Sequence, residues 1–406
     1  MREVQIPKMS FAVLSNPNFK LLAVSGIISG IGSSLVPIAF AIETIRVEPQ
    51  GWGMAGVLIT LWLGRFLGML AYRKIGYLFK DKILLICSLT LMIVAQVGLL
   101  WCIVILGNSI LLMSVSSFIY GVAASFNAPT QFVILPKIAK ASELREANSI
   151  LSALGDIFGI FGPIAGATLV IFLGFEFVLF LDALTFLLAI FLVMFLRIPV
   201  SPASLNKEPA VANKANTRTE KLPRWTNVCF LSWFFCTFAI GLSGVAAPTL
   251  IISNYSPATW AAVAVAMAVG SLLGSLMSLT GILDRLPWKT VHIFCSVSLA
   301  TQLVALGLSV TIWVLCLIVF FSAGAVTASG IKWATMGQKQ FTDAKLHRFA
   351  SVDQFVSTAG LPIGMIIFGV AGTLNHTENI TAIVGLLVFV ATLPLIFAAK
   401  TGLPHN

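Results

Sequence analysis

Long apolar runs, broken by short clusters of Gly, Pro, Asn or charge, recur along the whole chain. A helix needs roughly 20 mainly apolar residues to cross about 30 Å of hydrocarbon. Twelve stretches meet that length, at approximately 20–45, 52–78, 83–106, 109–134, 146–172, 175–197, 225–252, 257–282, 289–310, 311–336, 347–374 and 380–400. Turn residues separate most of them, whereas the run from Val291 to Gly330 divides by length alone. One connector is long: 198–224, rich in Pro, Ala, Asn and Lys, reads as a flexible linker. The pattern predicts an all-α integral membrane protein of twelve transmembrane helices. Its parts are an N-terminal six-helix bundle over 1–197, a cytoplasmic linker over 198–224 and a C-terminal six-helix bundle over 225–406.

Composition sharpens this. The 406 residues are 58% hydrophobic and only 10% charged, against about 25% charged in soluble domains. The net charge of +10 would suit nucleic acid if the basic residues formed a patch, but they are distributed by loop. Arg73, Lys74, Lys80 and Lys82 follow span two, Lys137, Lys140 and Arg145 follow span four, and Lys339, Lys345 and Arg348 follow span ten. The linker carries Lys207, Lys214, Arg218, Lys221 and Arg224, while the opposite loops hold Arg46 alone. Such asymmetry places both termini and the linker in the cytoplasm of a cell membrane and removes the reason for a nucleic-acid partner. The first eighteen residues have no apolar core or small-residue cleavage site, so span one is expected to act as its own insertion signal. Cys87, Cys102, Cys229, Cys236, Cys295 and Cys316 lie in apolar runs without CxxC spacing or His neighbours. They read as packing residues, with no disulfide, metal or cofactor expected. Nucleotide-binding GxxxxGKS/T and the hydrolase patterns HExxH and GxSxG are missing, which disfavours ATP drive and an enzyme.

The halves repeat. GSSLVP ending at Pro37 matches SGVAAP ending at Pro248, and Gly64 and Gly68 match Gly270 and Gly274. Gly121 matches Gly324, and SELREANS from Ser142 matches AKLHRFAS from Ala344. Parallel six-span repeats around a linker imply a two-bundle transporter with its substrate bound between the halves near the midplane. The stretch from Tyr120 to Val170 anchors the repeat. Asn127, Pro129 and Pro136 are expected to break up the exit of span four, and Ser142 to cap the next helix. Gly155, Gly159, Gly162 and Gly166 share one helical face, expected to let the other half approach closely.

These residues resemble the major facilitator superfamily, in the branch of macrolide-efflux proteins and enterobactin exporters. The resemblance covers essentially the whole chain. It is carried by SGIGSSLVPIAFAI in span one, FNAPTQFVILPKIAKASELREANS after span four, LDALTF from Leu181 and LHRFASVDQFVSTAGLPIG from Leu346. The family's antiporter motif ends G-P-x-x-G-G; Gly162, Pro163 and Gly166 match it, Gly159 precedes them, and Ala167 replaces the last glycine. In the loop after span two the family's GxxxDRxGR register is not kept. The resemblance implies alternating access by a monomer, with helices two and eleven, and five and eight, meeting across the halves.

A charge inside the bilayer costs at least about 2.5–3.5 kcal/mol on insertion scales and so needs a reason. Arg65, Asp156 and Asp353 sit at comparable depth in the inner half of spans two, five and eleven. They are the coupling and gating candidates, with Arg65 expected to pair with Asp353 when the cytoplasmic side is closed, and Asp156 to face Ser271, Gly274, Ser275 and Ser278. Glu43, near the outer end of span one, is a further candidate or else a snorkelling surface charge. Asp182 belongs to LDALTF and reads as structural, Lys332 as snorkelling, and His292, His347 and His376 receive no role. Wall candidates for a substrate cavity are Ser33, Pro37, Tyr120, Phe126, Trp233, Phe234 and Phe321. The expected function is proton-coupled export of a small amphipathic compound such as a drug or siderophore. Uptake or lysophospholipid flipping on the same fold, and a transport-inactive receptor or scaffold, are the alternatives.

Overall fold

The computed structural model describes residues 11–48, 52–199, 222–373 and 376–397. These residues form twelve α-helices and no strand: α1 Pro17–Val47, α2 Trp52–Ile75, α3 Asp81–Leu106, α4 Ile110–Ile138, α5 Leu144–Leu173 and α6 Phe175–Phe195 in the first half. The second half comprises α7 Arg224–Asn254, α8 Pro257–Thr280, α9 Trp288–Gly307, α10 Ile312–Gln340, α11 Asp343–Thr373 and α12 Thr377–Phe397. Eleven are long and apolar enough to cross a membrane, and α12 adds a shorter apolar helix over Thr377–Ala391. The predicted linker falls almost wholly outside the described residues.

Helix ends follow local chemistry. Asn16 Oδ1 accepts from the backbone N–H groups of Asn18 and Phe19 at 3.0 and 3.3 Å, with Pro17 in the first turn of α1. Ser256 caps α8 through the Thr259 N–H at 3.1 Å, and Gly281, at φ 76°, ends it in the left-handed conformation. Two expectations fail here. Ser142 does not cap α5: the chain turns at 140–143, the Glu143 N–H bonds the Lys140 carbonyl at 2.9 Å, and the helix begins at Leu144. Asn127, Pro129 and Pro136 do not end α4, which runs on to Ile138. Packed neighbours let membrane helices carry internal prolines.

The repeated glycines encode repeated crossings. Gly64 and Gly68 of α2 lie against the backbone of Phe118 and Val122 in α4, and Gly121 of α4 lies against Leu61 of α2. In the second half Gly270 meets Phe320, and Gly274 meets Gly324, across α8 and α10. A Cβ at any of these would fall within about 3 Å of the facing backbone. The second pair of crossings is α1 with α5, where Gly162 and Gly166 sit on Ser34 and Leu35, and α7 with α11, where Gly360 and Gly364 sit on Thr237 and Phe238. This corrects the expectation for the α5 glycine face. Gly162 and Gly166 bring α5 against α1 of their own half, while Gly155 and Gly159 have open space beside them.

The halves meet through α5 against α8 and α10, α2 against α11, and α4 against α10 and α11. The contacts gather towards the end of the molecule where α5 and α11 begin and α2, α4, α8 and α10 finish, which is the end bearing the basic loops.

Candidate functional site

The seam between the halves is built on one polar stripe of α5. Arg145, Asn148, Ser152 and Asp156 recur at helical spacing on a face distinct from Gly162 and Gly166. Arg145 pairs with Asp284 in the turn after α8. Asn148 Nδ2 donates to Thr335 Oγ1 at 3.0 Å and Gln338 Oε1 at 2.7 Å on α10. Gln338 Nε2 in turn donates to the Phe132 carbonyl of α4 at 3.1 Å. Deepest lies Asp156, whose carboxylate accepts from Ser271 Oγ at 2.7 Å and Ser275 Oγ at 2.9 Å, both on α8. Ser271 also lies 2.6 Å from Thr327 Oγ1 of α10. The Gly274–Gly324 contact draws α8 and α10 close enough for both hydroxyls to reach one another beside the carboxylate.

A second knot closes the α2–α11 side. His347 at the start of α11 places Nε2 3.0 Å from Asp81 and Nδ1 3.1 Å from the Tyr72 hydroxyl. Asp81 also accepts from Lys137 Nζ at 2.5 Å. An ionised carboxylate only accepts, so Nε2 carries a proton, and in the neutral ring Nδ1 accepts from Tyr72. Phe132 stacks on Phe349 with centroids 6.0 Å apart, and Phe66 meets Phe355 at 5.6 Å. His347 is the residue that reading the sequence missed. Its repeat counterpart is Arg145, and that alignment was the available signal.

Arg65 and Asp353 do not pair. Asp353 accepts from the indole Nε1 of Trp333 at 2.6 Å, within its own half. Arg65 lies over the Trp62 ring at 5.3 Å, its Nε is buried without a hydrogen-bond partner, and its side chain borders a cavity of about 200 Å³. Ser33, Tyr120, Asn127, Gln354 and Thr358 supply the cavity's other main polar groups, and Met92, Ala124 and Ala128 its apolar wall. Of the predicted wall residues, Ser33 and Tyr120 border it, joined by a 3.0 Å hydrogen bond. Phe126 packs on Tyr72, Trp233 on His292, Phe234 on Phe235 and Phe321 on Phe320, while Pro37 is exposed on α1.

Glu43 is not a snorkelling surface charge. It is buried, accepting from Asn108 Nδ2 at 2.5 Å with Arg46 3.3 Å away, because the turn before α4 folds over it. Asp182 is fully buried, accepts from Gln96 Nε2 at 2.6 Å, and sits against Gly32 of α1. Lys332 donates to the carbonyls of Leu283 and Leu286 at 2.7 and 2.6 Å, closing the turn after α8. The cysteines are not all without a histidine neighbour: Cys236, His292 and Cys295 converge with their ligand atoms within 4.8 Å. His292 and Cys295 lie on one face of α9, and α7 brings Cys236 to them. Both imidazole nitrogens already meet hydroxyls, Ser232 at 2.9 Å and Ser329 at 3.0 Å, so the cluster is satisfied as a polar core knot.

Comparisons with known proteins accord with this architecture. A bacterial homologue of the iron transporter ferroportin, in an outward-facing state, superposes with a TM-score of 0.77 at 12% identity, over 94% of this chain and 99% of that one. The E. coli fucose:proton symporter gives 0.71 at 13%, over 95% and 98%. A proton:xylose symporter gives 0.72 at 14%, over 93% and 95%. At such identities the likeness is one of fold. No curated protein sequence matches the chain. The family profile of the Major Facilitator Superfamily matches residues 22–365. With twelve helices, two bundles joined at one end and a profile match across most of its length, this multi-pass membrane chain belongs to the Major Facilitator Superfamily of transporters.

Proposed function

We propose that this chain is a secondary active exporter of a small amphipathic compound, driven by protons entering in exchange, and that it works as a monomer in the cell membrane. Its basic end faces the cytoplasm, by the distribution of Lys and Arg. The observation that carries the reading is Asp156, an ionisable group inside the membrane held by hydroxyls of the opposite half. Opening the cytoplasmic side must take Ser271 and Ser275 away from that carboxylate, so its protonation and the seam's state are linked. Asp353, held by Trp333 beside the same seam, is the second coupling candidate. The resemblance to macrolide-efflux and enterobactin exporters and the partial antiporter motif at Gly162, Pro163 and Gly166 favour export.

The test is movement of a dye substrate in proteoliposomes after a pH jump. Gradient-driven movement is expected in the wild type, and a loss of at least about tenfold in Asp156→Asn, whose amide keeps the shape but not the charge. Wild-type rates in both Asp156→Asn and Asp353→Asn would remove the coupling assignment. A chain that moves nothing under any gradient is a receptor or scaffold. Two of the fold neighbours are proton symporters, which supports a second reading, uptake with protons; movement down the proton gradient would select it.

A further inference from the structure

The cavity has an unusual charge balance. Among the described residues that border it, Arg65 is the charged one, and no carboxylate faces it there. The neighbouring membrane carboxylates are committed elsewhere: Asp156 to Ser271 and Ser275, Asp353 to Trp333, and Asp182 to Gln96. Among the described residues Arg65 Nε meets no hydrogen-bond partner and no carboxylate pairs with the guanidinium, which rests on the Trp62 ring at 5.3 Å. An ionisable side chain at this depth of a membrane protein faces a cavity or a partner group and marks a substrate or ion pathway. A guanidinium matches planar or tetrahedral oxyanions by two parallel N–H···O bonds. Gln354 and Thr358 of α11 border the same space, so an occupant would touch both halves at once.

We propose that the cavity binds an organic anion, its carboxylate or phosphate held by Arg65 and its apolar body lying along Met92, Ala124 and Ala128. This rests on reading the cavity as the transport path and narrows the amphipathic substrate to an acidic one. Gln354 and Thr358 would report occupancy to α11, the helix whose first turn holds His347.

Calorimetric titration of the full chain in nanodiscs tests it, with phenylbutyrate, phenylbutanol and phenylbutylamine as matched probes and with inorganic phosphate and chloride as separate arms. Phenylbutyrate is expected to bind at least about tenfold more tightly than the alcohol or amine. Arg65→Gln should abolish that preference and Arg65→Lys should weaken it. Gln354→Glu, which places a carboxylate in the same cavity, should abolish it even if Arg65→Gln does not fold. Equal binding of the three probes, or an acid preference surviving Gln354→Glu, overturns the inference. So does phosphate or chloride binding as tightly as phenylbutyrate, since Arg65 would then hold a resident inorganic ion. Acid binding without gradient-driven movement would instead defeat the export reading alone. Proton-driven movement of the amine without acid preference would defeat this inference alone.

Discussion

His347 joins two helices of one half, α2 through Tyr72 and α3 through Asp81, to a helix of the other through its two ring nitrogens. His347→Ala removes both contacts and leaves Asp81 with Lys137 alone. Losing two buried hydrogen bonds of this kind costs about 1–3 kcal/mol, and here the cost falls on the joined arrangement of the halves. A cysteine at Val133, fully buried at the seam, should therefore react with maleimide several-fold faster in His347→Ala, in a background whose six native cysteines are replaced. Unchanged labelling would mean the knot does not hold the seam. Side-chain roles at this scale were partly legible. Asp156 with Ser271 and Ser275 followed from depth together with the pairing of spans five and eight that the family resemblance implies, while Ser278 bonds the Gly274 carbonyl instead. Arg65 with Asp353 did not follow: equal depth does not set azimuth, and Trp333 reaches the carboxylate instead.

The helices carry their packing instructions in glycine. Gly274 faces Gly324 with no room for a side chain between α8 and α10. Gly274→Val should destabilise the fold by about 1–3 kcal/mol or more through overpacking, read as a lower melting temperature in detergent. Gly159→Ala should leave the melting temperature unchanged or raise it, since nothing stands within 4 Å and alanine favours the helix by about 1 kcal/mol. If Gly159→Ala proved as damaging as Gly274→Val, α5 would have a second tight partner that this arrangement lacks. The sequence revealed which helices hold small-residue faces and that they recur between halves. It did not reveal that the faces of α5 divide labour, Gly162 and Gly166 holding α1 and the Arg145–Asp156 stripe holding α8 and α10. A glycine pattern states that something comes close, and only the assembled bundle says what.

Across the whole molecule the two bundles are tied at the basic end by Arg145 with Asp284, Asn148 with Gln338, and His347 with Asp81. Paired cysteines replacing Arg145 and Asp284, cross-linked by a short bifunctional reagent, should arrest transport, and cleaving the link should restore it. Transport that continued through the cross-link would exclude opening at this end. The twelve helices, their grouping by six and the sidedness of the basic loops needed no coordinates, because bilayer thickness and insertion act on local stretches of chain. The glycine repeat likewise announced equivalent crossings in the two halves. Which carboxylate meets which partner, that Glu43 lies buried under Asn108, and that Arg65 borders a cavity with no carboxylate among its described lining residues were decided by tertiary structure. Those facts depend on helix rotation and on contacts between residues far apart in the chain, as with Arg65 and Gln354, which no local pattern specifies.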